Sequence, residues 1–268
     1  MSPSKIKNAN HNPELKAALL EKQLSWKVVE QQAPRFIAEP ATFNAHTVTL
    51  DADTTDVFAK HFDVVFPSIP DTSNIQPVKF QGDTQACTSF ALASTIEDRL
   101  RLTEQVKLTV SAHYIHFCIA KLSLDSPWDL TYAMKYDVPD ANFALSEPGD
   151  AQSLPAQCSV RKVAVSLKNI SPVIGDIAAR TALQKGPIIA SMEDWEDFHK
   201  FYGGGIYRHA SGGERQSHTI EVIGFDSESW IVKNSWGTSW GEGGLARIAF
   251  GECNLFKLAA FSFEPELI

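Results

Sequence analysis

Apolar positions recur at helical spacing in the first 120 residues and as short runs between glycines after residue 186. In NPELKAALLEKQLSWKVVEQQ, Leu15, Ala18, Leu19, Leu24, Val28 and Val29 predict one amphipathic helix, which Pro34 and Pro40 end. HTVTLDAD reads as a short strand. Phe90, Leu92, Ile96 and Leu100 predict a buried helix, uninterrupted by Gly or Pro, with Cys87 in its first turn. From Gly186 onward, GPIIASM, GGGIYRH, HTIEVIGFD, SWIVKNSW and LARIAF are apolar runs bounded by polar turns, which predicts a β-barrel-like lobe. The expected class is α+β in two lobes: residues 87–120 build the helical one, and a groove runs between the two. The chain divides near residue 60, into an N-terminal extension or prosegment-like region (1–60) and a main domain (61–268).

At 268 residues with 44% apolar content, the chain can bury a large core. A net charge of −8 argues against nucleic acid as a partner. No apolar run is long enough to span a membrane, and MSPSKIKNANHNPELK lacks the apolar core of a secretory signal.

The chemistry lies in three separated stretches. Gln81 and Cys87 stand six residues apart, His218 follows the cysteine by 131 residues, and Asn234 follows the histidine by 16. A thiol is a strong nucleophile only when ionised, and an imidazolium and a helix N-terminus both lower its pKa. Cys87 as an inert core thiol and His218 as a buried structural histidine are the alternatives for either residue alone. With no CxxC or HxxxH pair, neither a metal nor a cofactor is expected.

The stretches PVKFQGDTQACTSFALASTIE, QSHTIEVIGFD and KNSWGTSWGEGG resemble the papain family of cysteine peptidases over roughly residues 65 to 260. The resemblance implies a two-lobed fold and an endopeptidase that works through an acyl-thioenzyme. Cys87 would be the nucleophile, His218 the acid and base, Asn234 the residue orienting His218, and Gln81 an oxyanion donor. Trp236 matches the tryptophan that shields the histidine–asparagine hydrogen bond, and Ala190, Thr219 and Leu258 fall where the family builds its main specificity pocket. Peptides or proteins are the implied substrates, with an inhibitor or immunity protein as a further partner. The same thioester chemistry also serves a transpeptidase, ligase or amidase, a protease effector is a further reading, and a silent binding relative is a rival from outside enzymology.

Departures from the family pattern carry their own expectations. Thr88 replaces a tryptophan, which would open the site beside the thiol. Leu124-Asp125 stands near where the family has a glycine pair, which would narrow or reshape the cleft. Glu221, inside an apolar strand, is either a salt-bridged or strand-edge acid or a buried acid shaping a pocket. Cys118 and Cys253 match family half-cystines whose partners are missing, one of them replaced by Thr84. No disulfide is therefore expected among Cys118, Cys158 and Cys253. That implies a bacterial-type member folded in a reducing cytoplasm, or one exported as an effector without a cleavable signal.

Overall fold

The computed structural model describes residues 12–31, 74–146, 158 and 162–268. Its elements run α1 (Pro13–Leu20), β1 (Trp26–Val28), α2 (Cys87–Thr103), α3 (Ala112–Tyr114), α4 (Leu130–Tyr132), β2 (Asn142–Ala144), β3 (Val163–Pro172) and α5 (Asp176–Leu183). Then follow β4 (Ile188–Trp195), α6 (Glu196–Phe201), β5 (Tyr202–Tyr207), β6 (Arg215–Phe225), β7 (Ser229–Lys233), β8 (Leu245–Ala249) and β9 (Ala260–Leu267). Single π turns extend α3 through Ile115–Ile119 and α4 through Ala133–Asp137. Among the described residues no helix is long and apolar enough to cross a membrane.

Helix α2 is the spine of one lobe. Every residue from Cys87 to Leu100 is buried. Phe90, Leu92, Ile96 and Leu100 pack with Ile115, Trp128, Leu130 and Phe143 into the first core. The sheet of the second lobe runs β1-β5-β8-β7-β6-β4-β9-β3-β2. Its pairs are antiparallel apart from β5 with β8. Inward-facing aromatics, Phe198, Tyr202, Tyr207, Trp236 and Trp240, dominate the second core. Truncating such side chains to alanine would leave large cavities, so these positions tolerate little change.

The two lobes meet along α2 and β6, and the seam is ionic. Lys233 Nζ lies 2.7 Å from Asp98 Oδ2 and 3.7 Å from Glu221 Oε2, with all three side chains almost completely buried. This settles the alternatives for Glu221: it is a salt-bridged acid deep in the seam. Burial, and then the negative charge of Asp98, push its carboxyl well up, against the opposing pull of Lys233. A second pair beside it joins Lys79 to Glu97 at 2.7 Å.

The N-terminal pattern resolves differently from one long helix. α1 stops at Leu20, and the chain re-enters as β1, pairing antiparallel with β5. Trp26 and the β-branched Val28 and Val29 suit a strand, and the partner strand is cut to fit them. A Cβ at Gly205 would sit 2.6 Å from Ser25 O, and one at Gly203 would sit 2.5 Å from Val29 Cγ2. Leu15, Leu19 and Trp26 join the second core, with Leu24 and Val28 packed against it. The HTVTLDAD strand, Pro34 and Pro40 lie outside the described residues.

The expectation of no disulfide is overturned. Cys118 and Cys158 are bonded, with Cα atoms 5.5 Å apart, inside the range a bridge requires. Cys158 lies on the connection from β2 to β3, so the bridge pins that connection to the π turn after α3. Neither half finds its partner at a position that the resemblance could supply. The argument for a reducing compartment rested on the absence of any bridge and falls with it; Cys87 and Cys253 remain as the free thiols.

Candidate active site

Cys87 begins α2, and Ala86 at the cap makes no side-chain hydrogen bond to the first turn. The unpaired N–H groups and the positive end of the helix dipole therefore sit at the sulfur. His218 stands on β6 directly across from Met192 of β4, and Asn234 follows the end of β7. Asn234 N–H donates to Gly244 O at 3.0 Å, which anchors the turn.

These supports place the imidazole between two partners. His218 Nε2–H donates to Asn234 Oδ1 at 2.8 Å, and the Ser235 N–H donates to the same oxygen at 2.8 Å. Because Nε2 carries that proton, Nδ1 faces the sulfur. Burial pushes the Cys87 thiol up. The hydrogen bond and charge of His218, with a Thr219 backbone N–H and the Thr88 hydroxyl, outweigh it and leave the thiol below its ordinary value. For His218, burial pulls the imidazole down, while Cys87, Asp194 and Asn234 raise it above the ordinary histidine value. The opposite displacements favour a thiolate–imidazolium pair.

Gln81 is held with its amide oriented. Its Oε1 accepts from Ser235 Oγ at 2.6 Å, and Nε2 donates to Thr84 O at 2.8 Å. One of the two amide N–H bonds remains for another acceptor. Thr84, which stands for a family half-cystine, closes the same loop by donating its hydroxyl to Gln81 O at 2.9 Å. Trp236 lies face to face with His218 and is buried.

Two expectations change. Thr88 does not open the site: its side chain is buried, its hydroxyl donates to Trp128 O at 2.7 Å and meets Thr219 Oγ1 at 2.9 Å. The pocket set is not brought together either. Ala190 pairs with Ile220, is fully buried and belongs to the inner core, whereas Thr219 faces α2. The residue across from Thr219 is Ser191, whose N–H donates to Ala259 O beside Leu258 at 2.7 Å. A one-residue step along a strand moves a side chain to the opposite face.

Ser235, which orients both Gln81 and Asn234, had no signal of its own in the sequence beyond its place in KNSW. Among the described residues no three His, Cys, Asp or Glu side chains gather to hold a metal ion.

Residues 60–263 match the family described as papain family cysteine protease. Fruit bromelain from Ananas comosus is 27% identical over 210 residues, covering 73% of this chain and 57% of bromelain. The chain thus spans little more than half the length of that relative. Among solved structures, the Carica candamarcensis cysteine protease CMS1MS2 in complex with E-64 superposes with a TM-score of 0.61 at 23% identity, covering 70% of this chain and 92% of that one. Digestive procathepsin L 3 of the Tenebrio molitor larval midgut gives 0.65 at 20% identity, covering 93% and 86%.

Proposed function

Because the chain belongs to the papain family of cysteine proteases, we propose that it is an endopeptidase that cuts peptide bonds through a thioester on Cys87. The observation that carries the reading is the relay from Cys87 through His218 to Asn234, with the thiol lowered and the imidazole raised.

In the first step the Cys87 sulfur attacks the carbonyl carbon, and the oxyanion takes N–H bonds from Gln81 and the Cys87 backbone. The leaving amine departs with the proton from His218 Nδ1. In the second step His218 takes a proton from water, hydroxide attacks the thioester, and the acid leaves as the thiol is restored. Asn234 keeps the imidazole turned toward the sulfur throughout, and Trp236 keeps water off the hydrogen bond between them.

Thr219, whose backbone N–H reaches the Cys87 thiol, and Ser191 across from it are uncharged, which favours an apolar substrate side chain there. The Cys118–Cys158 bridge supports folding in an oxidising compartment. Residues 12–31 support a structural extension: they form a helix and an edge strand that bury Leu15, Leu19 and Trp26 in the β-lobe core, with Leu24 and Val28 packed against it. The proform neighbour, which covers more of this chain than the E-64 complex does, is what favours the prosegment alternative.

The test is labelling by E-64 and turnover of a peptide library by wild type, Cys87→Ala and His218→Ala. Stoichiometric labelling and cleavage by wild type alone support the reading, and cleavage by Cys87→Ala overturns it. Added amine nucleophile reads out any acyl transfer away from water.

A further inference from the structure

Asp194 sits on β4 across from Gln216, so its side chain shares a sheet face with His218, one diagonal step away. Such neighbours in an antiparallel pair lie ~7 Å apart. The carboxylate is fully buried. Its Oδ2 accepts from Gln216 Nε2 at 2.8 Å and lies 3.2 Å from His199 Nδ1 of α6. Its Oδ1 has no hydrogen-bond partner among the described residues. A buried anion with one bare oxygen is costly unless a cation answers it.

The groups around it narrow the choice of cation. Tyr207 of β5 and Cys253, beyond β8, both feel its charge, and burial pushes both upward, so they stay neutral. Asp197 of α6 already has its partners. Tyr207 and the Ala210 and Ser211 N–H groups donate to it, and His209 Nδ1 lies 3.0 Å away. That leaves the imidazoles of His199 and His218. His199 stands edge-on to Trp236 at 6.4 Å, and Trp236 stacks on His218, so both histidines border one aromatic wall.

We propose that Asp194, held by Gln216 and His199, is a positioning residue whose fixed charge keeps His218 in its imidazolium form. It touches neither sulfur nor substrate and acts through the histidine. The inference rests on His218 being the acid–base group of the proposed reaction. Within that reading, Asn234 fixes the direction of the ring, and Asp194 extends the pH range over which the ring holds its proton.

The experiment is the pH profile of kcat/KM for wild type, Asp194→Asn and Asp194→Glu, with folding checked by near-ultraviolet circular dichroism. Asp194→Asn should move the alkaline limb down by nearly two pH units, the order expected for a charge ~7 Å away at an effective dielectric of ~20. Asp194→Glu should restore part of that range. A folded Asp194→Asn with the wild-type alkaline limb overturns the proposal. Should Asp194→Asn not fold, the His218 titration is followed by NMR in Cys87→Ala, where the sulfur no longer supports the proton. A midpoint within about one unit of 6.5 supports a second anion at work. An imidazole neutral several units lower, as burial alone would dictate, overturns it. Activity surviving in His218→Ala would instead remove the acid–base reading itself, so the two failures are distinct.

Discussion

The rings of His218 and Trp236 lie 4.6 Å apart with their planes 27° from parallel, and Trp240 stands perpendicular to Trp236 at 4.9 Å. The imidazole therefore has one face sealed by an indole that is itself braced from behind. Trp236→Ala should lower stability by about 3–5 kcal/mol, as for other large core truncations. Trp236→Phe should keep the fold and most of the stacking. Urea midpoints and kcat/KM, measured on both variants, separate the packing role from the shielding role.

The pH dependence follows from the two shifted groups. The Cys87 thiol is lowered, so the acid limb of activity should fall below the ordinary thiol range; His218 is raised, so the alkaline limb should lie above the ordinary histidine value. The stability signs run oppositely. The Cys87 contribution is present above the unfolded thiol pKa and is lost as pH falls through the lowered value, whereas that of His218 is present below the unfolded value and is lost as pH rises through the raised one. In His218→Ala, burial acts on the thiol without the imidazolium. Alkylation by iodoacetamide at neutral pH should slow by at least tenfold, and an unchanged rate would contradict the pairing.

At the seam, Lys233→Met leaves Asp98 facing Glu221 without their cation and should cost about 3–5 kcal/mol. Glu221→Gln should be mild. Its carboxyl is raised, so its contribution is present below the unfolded carboxyl pKa and is lost as pH rises through the folded value. Replacing it should flatten the loss of stability toward alkaline pH, which denaturation midpoints across a pH series would show.

The bridge from Cys118 to Cys158 spans a sequence separation of 40 residues. On the loop-entropy estimate, Cys158→Ser should lower stability by about 4 kcal/mol or somewhat less. The wild type should lose a similar amount on reduction, and the variant should be indifferent to reductant. Equal denaturation curves for wild type with and without reductant would refute the pairing.

Removing residues 1–31 separates the two roles of the N-terminal segment. As a prosegment anchor, its loss should raise peptidase activity. As a structural extension, its loss should strip cover from the core beside Trp26 and lower the melting temperature instead. The truncated protein should be assayed together with the separately added 12–31 peptide, which should inhibit in the first case.

The four residues of the proposed chemistry could be read from the sequence because each belongs to a stretch whose spacing is fixed by a turn or a strand. What surrounds them could not. Whether Ala190 or Ser191 borders the groove is a question of register, decided by how β4 pairs with β6. Asp194 looks like a surface acid in SMEDWED until that same pairing carries it inward. The Cys118–Cys158 bond depends on two segments meeting in space, and four cysteines leave three ways to connect fully. The N-terminal apolar pattern suited a helix until Gly203 and Gly205, almost two hundred residues away, offered an edge to extend.

Helix α2 carries the thiol at its first residue and Asp98 eleven residues later, about 16 Å along the axis at 1.5 Å per residue. Because Asp98 is tied to Lys233 across the seam, the two walls of the groove are fastened to one stiff rod. If that groove cuts peptide bonds as proposed, it takes an extended strand, so a folded target has to open locally first and the rate of cutting follows how often it does.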